Sequence, residues 1–282
     1  MAVVSDVIPR IQSGGLQSLE AEARALRLEI VSAFFACGGG HYGGALSVLD
    51  IVLALYRTTL RVAPMCPDHP DRDRFILSKG HSAMALYAVL RRLGYFDEPL
   101  SRYGRIDSAL EGHPDMTVLP GIDFSTGSLG QGLSVGLGMA MALKGTDRHV
   151  WVILGDGECQ EGQVWESAML AARLNTNRLH AVIDCNGYQE WGWTQQPGAP
   201  PPVPLLREKW EAFGWNTMYV DGHDYGALST TFRTALAARQ PTVILAKTIK
   251  GRGFPLIEQD PVRFHCTTVD EGEQAILLGL PK

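Results

Sequence analysis

His149-Val150-Trp151-Val152-Ile153-Leu154 runs directly into Gly155-Asp156-Gly157-Glu158, and the reading of this stretch decides the fold. A short apolar run rich in β-branched and aromatic residues, closed by glycine, reads as a buried strand. The next such run, Leu179 to Asp184 (LHAVID), follows a helical pattern over 164–174 and ends in Cys185-Asn186. Strand, helix, strand in succession means a crossover, and hence two parallel neighbours. Downstream the rhythm repeats, with a helix over 205–213, a strand over 216–220, a helix over 225–238 and a strand over 242–247. Upstream, apolar residues at helical spacing give helices over 16–37, 46–60, 82–93 and 131–143, the first closed by Gly38-Gly39-Gly40. The expected fold class is α/β, a parallel sheet flanked by helices with right-handed crossovers. Gln196–Pro204 (QPGAPPPVP) breaks the alternation. Proline removes donors and fixes φ, so this stretch reads as a surface loop within a single domain spanning 1–282.

In a parallel sheet, ligands bind beyond the carboxyl ends of the strands. Asp156 stands at that end of one strand and Asn186 at that end of the next. Thirty residues of sequence therefore close to a single strand spacing of about 4.8 Å. A carboxylate, an amide oxygen and a main-chain carbonyl from the following loop make a hard oxygen site. Mg²⁺ takes such a site and completes it with phosphate oxygens and water. Glycines on both sides of Asp156 let the backbone approach a ligand closely. A tight turn after a strand would be written with the same three residues.

Composition excludes several classes. At 282 residues, 45% hydrophobic and 20% charged, the chain is an ordinary globular protein with room for one large core. A formal net charge of −5 and the lack of any Lys/Arg run argue against nucleic acid or an anionic membrane as partner. No apolar stretch approaches the roughly 20 residues of a membrane span. The start, MAVVSDVIPRIQSGG, lacks the basic and apolar regions of a signal peptide. Cys37, Cys66, Cys159, Cys185 and Cys266 form no CxxC pair, which suits reduced thiols better than a disulfide framework or zinc. A cytoplasmic location is expected.

GDG followed by Asn after an intervening helix resembles the thiamine-diphosphate-binding motif, and longer stretches narrow the resemblance to the transketolases. They are ILGDGECQEGQVWESAMLAARL, RFILSKGHSAMALYAVL, EGHPD around His113, STGSLGQGLSVGLGMAMAL from Ser125 and PTVILAKTIKGRG from Pro241. The resemblance implies a thiamine-diphosphate-binding pyrophosphate domain. In it Asp156, Asn186 and the Tyr188 carbonyl hold Mg²⁺, with Ca²⁺ or Mn²⁺ as substitutes, against the diphosphate of the cofactor. Gly155, Gly157 and Glu158 belong to the same cofactor-binding set, Gly157 closest to the diphosphate. Gly127, Ser128 and Leu129 stand on the turn that passes the pyrimidine ring, and Glu161 belongs to the cofactor and subunit-contact network. His41, His81, His113 and His265 match histidines that line the substrate channel, His81 and His265 also contacting the cofactor. Imidazole suits proton transfer to and from sugar hydroxyls near neutral pH. Any one of these histidines alone would pass for a surface or capping residue. His223, in VDGHD, takes no catalytic role from the resemblance.

The reaction implied is transfer of a two-carbon ketol unit from a ketose or hydroxypyruvate to an acceptor, with the cofactor as electron sink. One-chain transketolases are more than twice this length. The pyrimidine and C-terminal domains are therefore expected on a separate chain, the second subunit of a split transketolase, in a heterotetramer with two copies of each. Three departures from the family pattern keep a rival open. They are Tyr42 in Gly40-His41-Tyr42-Gly43-Gly44, the run Glu190-Trp191-Gly192-Trp193, and Cys266 after His265. The rival is a hybrid of transketolase and pyruvate dehydrogenase that delivers a glycolyl unit to a lipoyl or acyl-carrier-protein thiol. A binding module without chemistry would have no use for four channel histidines beside an intact Asp156 and Asn186.

Overall fold

A computed structural model describes residues 16–190 and 201–279. Among these, strands β1 (Arg74–Leu77), β2 (Val150–Gly155), β3 (Leu179–Cys185), β4 (Asn216–Asp221) and β5 (Thr242–Lys247) form one sheet in the order β1-β2-β3-β5-β4. Every pairing is parallel. The two deciding runs are neighbours, and Gly155 pairs with Asp184 across them.

Side chains alternate across the sheet with period two, as a strand buried on both faces requires. Phe75, Leu77, Trp151, Ile153 and Ile244 meet α1 (Leu16–Cys37), α2 (Tyr42–Thr58), α3 (Ala83–Leu93) and α7 (Tyr225–Leu236). Ile76, Val150, Val152, Leu154 and Leu245 meet α4 (Gln131–Ala142), α5 (Gly162–Arg173) and α6 (Leu206–Ala212). α2 is buried from Tyr42 through Tyr56, so it forms the centre of the first layer rather than its surface. Its start lies four residues before the expected one, because the apolar periodicity begins only at Leu46.

Three elements were not expected. β1 is four residues long and abuts SKGHS, too short a run for periodicity to register. The helices α8 (Pro255–Gln259) and α9 (Glu271–Leu277) are also short. α9 opens on a reciprocal cap. Asp270 Oδ1 accepts the Glu273 N–H at 2.8 Å, and Glu273 Oε2 accepts the Asp270 N–H at 3.1 Å. Of the proline-rich stretch, residues 201–204 carry no helix or strand, while 196–200, like Trp191 and Trp193, lie outside the described residues. No helix of the described residues is long and apolar enough to cross a membrane.

Candidate active site

The ends of β1, β2, β3 and β5 open on one cavity of about 270 Å³, lined in part by Lys79, Asp156, Asn186 and Lys250. At the end of β2, Asp156 is buried. Its Oδ1 accepts the Gly157 N–H at 2.9 Å and its Oδ2 the Gly187 N–H at 2.7 Å. Beyond β3, Asn186 Oδ1 accepts the Tyr188 N–H at 3.0 Å, while its Nδ2 donates to Ser47 Oγ and Asp184 Oδ2, both at 3.3 Å. Those two acceptors fix which way the amide faces.

Asp184 lies behind this pair, fully buried. Lys79 Nζ and Ser47 Oγ each donate to it at 2.6 Å, and the Thr248 hydroxyl donates to its other oxygen. Burial works against its charge, but the Lys79 ammonium and these hydroxyls outweigh it and hold the carboxyl below the usual range. Asp156 has no cation in contact among the described residues. Burial first, and the Asp184 carboxylate second, push it up to about 7. A divalent cation would relieve this buried carboxylate, and Asn186 and Tyr188, which carry neutral oxygens, line the same cavity. The donor set fits a metal that holds a diphosphate. No group of three His, Cys, Asp or Glu among the described residues could hold a metal ion. The ion's remaining ligands would be phosphate oxygens and water.

Glu158 lines the cavity, yet its oxygens are taken. Oε1 accepts the Gly130 N–H at 2.8 Å and the Ser78 hydroxyl, and Oε2 accepts the Gly155 N–H at 3.0 Å. It pins together the end of β1, the end of β2 and the turn before α4. Gly127, Leu129, Gly155 and Gly157 line the same cavity, whereas Ser128 and Glu161 are exposed and do not.

All four predicted histidines reach the cavity. His41 precedes α2, His81 lies in the 3₁₀ turn Gly80–Ser82 after β1, and His265 ends the turn Arg263–His265. The ring centroids of His41, His81 and His265 stand 5.4, 5.6 and 5.8 Å apart. A reciprocal bridge draws the two chain ends together, Gly40 N–H to the Thr267 carbonyl at 3.0 Å and the reverse at 3.1 Å. Close approach sets the glycine at 44. A Cβ there would stand 2.8 Å from Ser82 Oγ and 3.4 Å from the His81 ring. Burial is the largest cause of the low basicity of His41, His81 and His265. It takes His41 to about 4, with His113 and Lys250 adding, and His265 to about 3, with Lys250 and His41 adding. His81 falls well below the ordinary value for the same reason, with Lys79 next. At neutral pH these three are uncharged imidazoles, each able to donate one hydrogen bond and accept another.

Sequence reasoning missed Lys79, Asp184, Gln189 and Lys250, and it noted Glu190 only as the start of a departing run, although Glu190 lines the cavity. Lys250 Nζ lies 2.8 Å from His265 Nδ1, and as an ammonium it can only donate there, which puts the proton of the neutral ring on Nε2. Burial first, then Lys79, lower Lys250 to about 8. Both lysines sit inside the stretches SKGH and TIKGRG, but no spacing announces that a lysine is buried. The departures read differently in three dimensions. Tyr42 is fully buried, its ring 4.7 Å from Phe34 and 6.1 Å from Phe264, and Cys266 is exposed; neither lines the cavity.

Residues 18–277 match the family described as transketolase, thiamine diphosphate binding domain. The chain belongs to that family. It is 38% identical over 268 residues to 6-deoxy-6-sulfo-D-fructose transketolase subunit SqwG of Clostridium sp., covering 94% of this chain and 96% of that one. It is 36% identical to an apulose-4-phosphate transketolase subunit of Phocaeicola vulgatus, covering 93% of each. A solved transketolase from Campylobacter jejuni superposes with a TM-score of 0.83 at 27% identity, covering 94% of this chain and 43% of the other. The chain thus spans about two fifths of that transketolase and nearly all of the two named subunits. It is a transketolase-type transferase chain.

Proposed function

We propose that this chain binds thiamine diphosphate through Mg²⁺ held by Asp156, Asn186 and the Tyr188 carbonyl. With a partner subunit it transfers a two-carbon ketol unit from a ketose or hydroxypyruvate to a sugar acceptor. The observation that carries this reading is the convergence of an oxygen donor set and four imidazoles on one cavity. Bound thiamine diphosphate supplies the nucleophilic carbon and the electron sink for carbon–carbon cleavage. The chain's own residues do the rest. Asp156, Asn186 and Tyr188 hold the metal, and Glu158 keeps the surrounding loops in register. His265, with Nδ1 occupied by Lys250, offers an Nε2–H donor, and neutral His41 and His81 can each bond a hydroxyl and take or return its proton.

Relatives of matching length are named as subunits, which supports a partner chain. So do the exposed apolar side chains on α4 and α5, Met141, Met169, Leu170 and the adjoining Leu174. A heterotetramer with two copies of each chain is the assembly we propose. Both relatives are named for sugar substrates, which favours a sugar over a carrier thiol. The thiol alternative drew on Tyr42 and Cys266, which do not line the cavity, and on the run from Glu190, of which Glu190 lines the cavity and Trp191 lies outside the described residues.

The donor tests the reading. A site that hydrogen-bonds hydroxyls rejects analogues lacking them, because buried polar groups are left unpaired. The assembled enzyme should use hydroxypyruvate far better than pyruvate, and His113→Ala should narrow the ratio by slowing the hydroxylated donor. The measurement is kcat/KM for both donors in both proteins. Pyruvate as the better donor, or a ratio indifferent to the substitution, would overturn ketol transfer.

A further inference from the structure

No helix or strand holds His113. Residues 111–115 are irregular, so the placement of its imidazole depends on what grips the backbone on either side. Three bonds do so. The Tyr87 hydroxyl donates to the Glu111 carbonyl at 3.0 Å, and the Tyr103 hydroxyl donates to the Gly112 carbonyl at 3.1 Å. On the far side, the Thr126 N–H donates to the Pro114 carbonyl at 3.1 Å. The two carbonyls immediately before His113 are thus both held by tyrosine hydroxyls.

Those hydroxyls are themselves fixed. Both tyrosines are buried, with ring centroids 6.3 Å apart, and Tyr103 meets Phe34 edge-on at 5.7 Å. Phe34 in turn packs on Tyr42, which follows His41, and Tyr42 packs on Phe264, which precedes His265. One aromatic layer therefore underlies three of the four histidines. Only at His113 does it reach the histidine's own segment through hydrogen bonds. Phenylalanine would fill the same space, so what the tyrosines add is the pair of hydroxyl contacts.

We propose that Tyr87 and Tyr103 are positioning residues for His113, and that their hydroxyls set how strongly the site favours a hydroxylated donor. This rests on the reading in which His113 meets the donor. A displacement of about 1 Å in a positioned group can cost about a hundredfold in rate. Loosening one or both grips should cost less, about threefold for each hydroxyl and about tenfold for the pair.

The test uses the assembled enzyme carrying Tyr87→Phe, Tyr103→Phe, both together, and each of these in a His113→Ala background. The double variant should lower kcat/KM for hydroxypyruvate about tenfold while leaving the value for pyruvate and the calorimetric affinity for thiamine diphosphate in place. Amide hydrogen exchange should quicken in the peptide containing residues 111–115. Once His113 is alanine, removing the hydroxyls should cost nothing further, since residues acting through one side chain are not additive. Should the substitutions cost as much in the His113→Ala background, or leave the donor ratio intact while His113→Ala lowers it, the positioning role is overturned. Failure of His113→Ala itself to move the ratio would instead overturn the donor reading beneath it. Tyr103→Phe alone, the milder change, keeps the test open if the double variant folds poorly.

Discussion

Lys250 and His265 share one hydrogen bond of 2.8 Å, and it sets the protonation of the ring. An ammonium donating to Nδ1 leaves that nitrogen no lone pair for a proton. Burial remains the larger cause of the low value of about 3, so replacing Lys250 should raise His265 only part of the way to an ordinary imidazole. The sign follows directly. The neutral form persists above the pKa, so a higher pKa moves the acid limb of kcat/KM to higher pH. Lys250→Met should show that displacement in a pH–rate profile, and an unmoved limb would contradict it. Legibility at this scale was uneven. Asp156 and Asn186 could be read from sequence because both stand at strand ends, where topology sets their separation. Lys79, Asp184 and Lys250 could not, because their roles arise only when the ends of β1, β3 and β5 meet. The histidines came from resemblance, and their convergence needs the Gly40–Thr267 bridge, which local pattern does not reveal.

Among the elements, the packing of α4 on the end of β1 places a limit on one residue. A Cβ on Gly132 would stand 2.6 Å from Ser78 Cβ and 3.0 Å from its Cα. Alanine should gain up to about 1 kcal/mol of helix propensity, but overpacking against fixed atoms costs about 1–3 kcal/mol. Gly132→Ala should therefore lower the thermal midpoint, and it should also disturb Glu158 through Ser78. A raised midpoint in calorimetry would mean the helix has room. A second element-scale device joins α1, α2 and α7. Asp50 Oδ2 accepts from His223 Nδ1 at 2.6 Å, Oδ1 accepts from the Tyr225 hydroxyl at 2.5 Å, and Arg27 pairs with it. Burial pushes this carboxyl up, but the His223, Arg27 and Tyr225 contacts outweigh it and hold it below the usual range. Its stabilisation is complete above the unfolded value of about 3.9 and is lost as pH falls through the lower folded value. Asp50→Asn should cost about 3–5 kcal/mol at neutral pH and flatten the acid limb of stability, read by denaturant titration across pH. The strands β2, β3 and β5 were legible because largely apolar runs of six residues between helical patterns have few other readings, whereas the half-exposed edge strand β4 (NTMYVD) was read from its place in the alternation. β1 was not, because four residues are too few for a period to show.

At the scale of the molecule, exposed apolar side chains on α4 and α5 and relatives named as subunits point the same way. The chain alone should turn over no hydroxypyruvate, and adding the partner subunit should restore activity. Full turnover by the purified single chain would contradict the two-chain reading. Beneath assembly and donor choice lies the proposed metal-held cofactor, with Asp156 the one carboxylate in the proposed donor set. The most direct measurement is calorimetric titration of thiamine diphosphate, with and without Mg²⁺, into the assembled protein and its Asp156→Ala variant. Mg²⁺-dependent binding in the first and none in the second is the predicted result. Undiminished affinity in the variant would contradict the cofactor site itself.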